Sequence, residues 1–108
     1  MNEVFEDRKK GFEKKYELDK DLEFRVLARR DKLFGAWLAE IQGLEGLEAE
    51  KYVRHIAQSN FQKPGDQDML DQALSDFSSK GLTIEISEMR EKLNLFFIKA
   101  KKQIEGEE

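Results

Sequence analysis

The sequence predicts an all-α protein, a compact four-helix bundle with a mobile N-terminal segment, and three observations predict it. Apolar residues recur at spacings of three, four and seven over most of the chain, which places them on one stripe of a helix. Charged residues make up 39% of the chain and hydrophobic residues another 39%, a balance that amphipathic helices reach by burying one stripe and leaving the rest in water. Turn punctuation is sparse, with Pro64 the single proline and few Val or Thr, so a β-sandwich is a poor fit. At 108 residues the chain suits one domain.

Residues 1–20 stand apart as a mobile partner-binding arm. Their apolar residues are few (Val4, Phe5, Phe12, Tyr16 and Leu18) and are set among dense mixed charge. Phe5, Phe12 and Tyr16 are seven and four apart, so they share a face when the segment is helical. Fixing a residue's backbone costs roughly 1–2 kcal/mol, and burying an aromatic returns about 1.5–3 kcal/mol. With Gly11 in its middle, the segment does not order by itself in water; it folds when a partner encloses it.

Residues 21–104 carry the bundle. The first long helix begins near Leu18 or Leu22 and ends at Gln42, with Val26, Leu27, Leu33, Phe34, Trp37, Leu38 and Ile41 inward. Gly43 stops it. Gly35 allows close helix approach, and Trp37 belongs to the core. Arg29 and Arg30, beside Lys32, read either as a solvated face paired with nearby carboxylates or as a docking patch. A second helix, about Leu47 to Asn60, turns Ala49, Tyr52, Val53, Ile56 and Ala57 inward. Pro64 and Gly65 break the chain, and Asp66 reads as the cap of the third helix.

That third helix, about Gln67 to Lys80, buries Met69, Leu70, Ala73, Leu74 and Phe77, with Gly81 closing it. The fourth, about Glu85 to Ile104, presents Ile86, Met89, Leu93, Phe96, Phe97, Ala100 and Ile104 to the core. Its Lys99, Lys101 and Lys102 lie where cations favour the helix dipole, and Ile98 reads either as an ordinary surface residue or as a small exposed contact for a partner or a second copy. Residues 105–108 read as a frayed tail.

Chemistry is largely excluded. The chain carries no cysteine and one histidine, His55, which reads as an exposed helix residue, so neither a thiolate nucleophile nor a zinc site can be assembled. Asp66 and Asp68 lack the loop glycine and distal glutamate of an EF-hand, and no metal or cofactor is expected. Without a Gly-rich phosphate loop, nucleotide binding is at most weak; without a nucleophile elbow, hydrolase chemistry is disfavoured. The formal charge of −4 comes with interleaved signs rather than a basic stripe, which argues against nucleic acid. No signal peptide or membrane span is read, so the default location is the cytoplasm. The composition points to a protein that works by binding another protein.

Three stretches carry a family resemblance: residues 5–16 (Phe-Glu-Asp-Arg-Lys-Lys-Gly-Phe-Glu-Lys-Lys-Tyr), residues 28–40 (Ala-Arg-Arg-Asp-Lys-Leu-Phe-Gly-Ala-Trp-Leu-Ala-Glu), and Phe61 followed by Pro64-Gly65-Asp66-Gln67-Asp68. In order and spacing they resemble the ζ subunit, the ATPase inhibitor of α-proteobacterial F-type ATP synthases. The resemblance implies a partner, the synthase catalytic head with its α, β and γ subunits, and a location peripheral to the inner membrane. It implies an arm that folds in a catalytic α/β interface near the rotor and blocks ATP hydrolysis. Phe5, Asp7, Arg8, Lys9, Phe12, Glu13, Lys14 and Tyr16 fall in the matching inhibitory stretch. The aromatics serve as anchors, and Asp7, Arg8 and Lys9 as charge-pairing contacts. Gly11 stands where the family carries a helix former, at a cost of about 1 kcal/mol. The other reading is a helical scaffold that docks through the bundle face.

Overall fold

The computed structural model describes the backbone of residues 2–60 and 65–107, and the side chains of residues 20–60 and 65–107. Four helices follow in order: α1 (Asn2–Ile41), α2 (Gly46–Ser59), α3 (Gln67–Ser79) and α4 (Ile86–Glu107). Among the described residues there is no strand. The all-α, four-helix reading stands, and the boundaries of α2 and α3 fall within a residue or so of those read from periodicity.

The two glycines expected to stop helices do so by the same geometry. Gly43 and Gly81 hold φ at 76° and 71°, a conformation open to glycine because it has no Cβ. That turn lets the Leu44 amide donate to the Ala39 carbonyl at 2.9 Å, and the Gly43 amide to Glu40 at 3.0 Å. After α3, Leu82 donates to Phe77 at 2.8 Å and Gly81 to Ser78 at 3.0 Å. Each paired set satisfies carbonyls that the helix end would otherwise leave orphaned.

One core joins all four helices. It is built from Phe34, Leu38 and Ala39 of α1, Tyr52 and Ile56 of α2, the four inward residues Met69, Leu70, Ala73 and Phe77 of α3, and Met89 and Leu93 of α4. Gly35 sets the α1–α2 spacing: a Cβ there would stand 3.1 Å from the Val53 Cα, so the helices approach as closely as backbone permits. Trp37 lies half-buried at the core's edge, 5.9 Å from Phe34 and 6.5 Å from Phe96 between ring centres. Its other face is covered by Lys92, 5.6 Å from the ring. A smaller cluster of Val26, Ala100 and Ile104, flanked by Leu22 and Leu33, joins α1 to the end of α4.

Four expectations need correction. The backbone of α1 is helical from Asn2, not from Leu18 or Leu22. At its other end α4 continues past Ile104 to Glu107, where the sequence reads a frayed tail, because Arg29 reaches it with a 2.8 Å ion pair to Glu107. Lys99, Lys101 and Lys102 therefore stand before the last turn, which holds no basic residue. Ile41, Ile86 and Phe97 are exposed rather than inward. They sit at the margins of their stripes, where no neighbouring helix covers them.

Candidate partner-binding site

The predicted arm residues Phe5, Asp7, Arg8, Lys9, Phe12, Glu13, Lys14 and Tyr16 all fall within α1, and their side chains lie outside the described residues. What is described is the root of that helix, from residue 20 onward. Leu22 and Val26 pack on Ala100 and Ile104. One turn on, Arg29 donates to the side-chain amide oxygen of Gln103 (Oε1) at 3.0 Å and pairs with Glu107. The root is clamped to the end of α4 by an apolar contact and an ion pair. Phe24, about 200° around the helix from Val26, is 60% exposed. It is an aromatic that the periodic reading left unassigned.

Arg30 has a different fate from either reading given to it. It is buried, 7% exposed, beside Asp31 at 8%, so it is neither a solvated face nor a docking patch. Its Nη2 donates to Asp31 at 2.8 Å and to Asp66 at 2.7 Å, while Nε and Nη1 donate to the same two carboxylates at 3.0 and 3.2 Å. The Asn60 amide joins in, donating to Asp31 at 3.0 Å and to Asp66 at 3.2 Å. This node ties α1 to the end of α2 and the start of α3, the corner on which part of the family resemblance rests.

Asp66 does stand at the N-cap position of α3, but its side chain makes no cap bond. Its carboxylate is committed to Arg30 and Asn60, and only its carbonyl serves the helix, accepting from Leu70 at 3.0 Å. Burial works to raise the Asp66 pKa, yet the hydrogen bond and charge of Arg30, with Asn60, outweigh it and hold the carboxyl below its ordinary value. For Arg30, burial works against the charged form and the two aspartates overcome it, so the guanidinium pKa is raised.

The Asp66 shift has a sign that can be tested. A carboxyl depressed on folding stabilises the native state above its unfolded pKa of about 3.9 and loses that contribution as pH falls through the folded value. Urea midpoints are expected to fall as the pH drops below about 4, and less steeply in Asp66→Asn. Equal acid slopes in both proteins would remove Asp66 from the account.

Chemistry finds no footing elsewhere among the described residues. His55 Nε2 lies 3.0 Å from Asp76 Oδ2, which also accepts from the Tyr52 hydroxyl at 3.0 Å. Burial, with Asp76 adding to it, raises the Tyr52 pKa well above its usual value, so the phenol remains a proton donor at neutral pH. The hydroxyls of Ser59 and Ser79 donate to the carbonyls of Ile56 and Asp76, not to His55. No group of three His, Cys, Asp or Glu side chains that could hold a metal occurs among the described residues. No helix there is long and apolar enough to cross a membrane. Ile98 is 53% exposed, as its position predicts, and Leu95 beside it is 51% exposed.

Comparison with known proteins adds the remaining facts. The family model described as ATPase inhibitor subunit zeta matches residues 1–103 of this chain, a span that contains the arm, the root and the polar node together. A solved structure described as the solution NMR structure of the protein shares 32% sequence identity with a TM-score of 0.70. The match covers 81% of this chain and 99% of that one. No curated protein matches significantly.

Proposed function

Because this chain belongs to the ATPase inhibitor subunit zeta family, we propose that it is the inhibitory subunit of an F-type ATP synthase and acts through its N-terminal arm. In this reading residues 1–20 insert at a catalytic α/β interface near the rotor and block ATP hydrolysis. Phe5, Phe12 and Tyr16 anchor the arm, and Asp7, Arg8, Lys9, Glu13 and Lys14 make the polar contacts. The protein performs no chemistry of its own and needs no cofactor. It lies in the cytoplasm, held near the membrane only through the synthase.

The observation that carries the reading is the sparse apolar content of residues 1–20 within a family match that includes them. From residue 20 onward the chain supplies two hydrophobic clusters that join its helices, and the family match reaches back to residue 1. Residues 1–20 are too poor in apolar side chains to order by themselves, and as a segment that the family includes they are the natural effector. A chain lacking residues 1–17 is expected to keep the helical circular dichroism of the bundle and to lose inhibition of ATP hydrolysis. Full inhibition by that truncated chain would move the function to the bundle face and favour a docking scaffold instead.

A further inference from the structure

At the corner between α1 and α2 lies an open groove of about 340 Å³. Its apolar floor is formed by Ala39, Ala49 and Val53, and its rim carries Glu40, Glu45 and Glu50. All three glutamates are exposed. No lysine or arginine lines it, and none occurs in the sequence from Leu33 to Glu50, which also holds Glu48. A concave apolar surface ringed by one sign of charge selects a cationic, partly apolar occupant.

The chain itself contains such a segment. Residues 8–16 hold Arg8, Lys9, Lys10, Lys14 and Lys15 against a single acid, Glu13, and include Phe12 and Tyr16. With α1 helical from Asn2 to Ile41, that segment does not reach the groove of its own molecule. Both belong to α1, and at 1.5 Å per residue Phe12 and Glu40 stand about 42 Å apart along the helix.

We propose that the groove holds residues 8–16 of a second copy of this chain. Two copies with antiparallel α1 helices satisfy both grooves at once, since the same surfaces meet twice about a two-fold axis and the assembly closes as a dimer. The contact has a regulatory consequence that rests on the inhibitory reading above. A docked arm is withheld from the synthase, so the dimer is a reserve form and the monomer the active one.

The test uses the full-length chain labelled for NMR and a synthetic peptide of residues 1–19, with a scrambled peptide of equal composition beside it. The native peptide is expected to shift the amide resonances of Ala39, Ala49 and Val53. Its affinity is expected to fall about tenfold in E40Q/E45Q/E50Q, whose replaced side chains are exposed and leave the core intact. Sedimentation of the whole chain is expected to show a dimer that dissociates when salt rises from about 50 to about 300 mM. Equal shifts from the scrambled peptide, shifts confined to another surface, or a triple variant that binds as well as the parent would each overturn the proposal. Because these readouts involve no ATPase, they stand or fall apart from the inhibition assay.

Discussion

A variant with Phe5, Phe12 and Tyr16 all changed to alanine is expected to melt with the parent protein and to lose inhibitory potency by at least about a hundredfold. The three rings fall on one helical stripe, so a partner that buries one of them buries all three. Each fully enclosed aromatic contributes on the order of 1.5–3 kcal/mol of apolar burial. Their combined loss exceeds a hundredfold even after a generous allowance for non-additivity, since each 1.4 kcal/mol is tenfold in affinity. Melting is expected to stay put because the helices from residue 20 onward carry apolar stripes that build a core from their own residues. Gly11 sharpens the same point. Gly11→Ala removes about 1 kcal/mol of helix penalty within the arm, so any change it produces in potency runs in the opposite direction. The assay is ATP hydrolysis by the synthase titrated with each protein. Potency within threefold of the parent after loss of all three rings would sink the arm as effector.

Replacing Arg30 by alanine is expected to cost about 3–5 kcal/mol of stability, the range for breaking a buried charge network from one side. Arg30 is the common donor of the node, and its removal leaves the Asp31 carboxylate buried with only the Asn60 amide. Asp66 loses the partner that holds its pKa down. For a domain of this size, each kcal/mol shifts the melting temperature by about 4–8 °C, so a fall of some 15 °C or more is expected. Arg30→Lys keeps the charge but cannot bridge two carboxylates with a planar fork, and should recover only part of the loss. Thermal melts of the three proteins decide the matter. A drop of under about 3 °C in the alanine variant would show that the node contributes little.

Much of this was legible in the residues taken in order. The inward positions of α2 and α3 follow from periodicity, because a helical stripe is defined by residues a few places apart. Gly43 and Gly81 stop their helices by a purely local requirement for positive φ. Gly35 reads correctly as a point of close approach, since only a missing Cβ gives that freedom.

Other features were not legible, for reasons equally physical. Arg30 and Asp66 are 36 positions apart, and nothing near either one says that a cation will meet two carboxylates and an amide at a buried corner. Asp66 therefore reads as a cap, whereas its side chain serves the α1 contact. Phe97 and Ile86 share the periodic stripe of α4 but not its cover, because the width of a buried face is set by neighbouring helices. Ile104 does not end α4, since Arg29 on another helix supplies the partner for Glu107.

By itself, then, the sequence determined the helical class and the helix stops, both of which depend on interactions within a few turns. Only the tertiary structure decided which charges are buried, how far α4 extends and where an acidic groove opens between α1 and α2. Those outcomes depend on residues distant in the chain becoming neighbours, and a charge's cost or benefit is fixed by the neighbours it finds after burial.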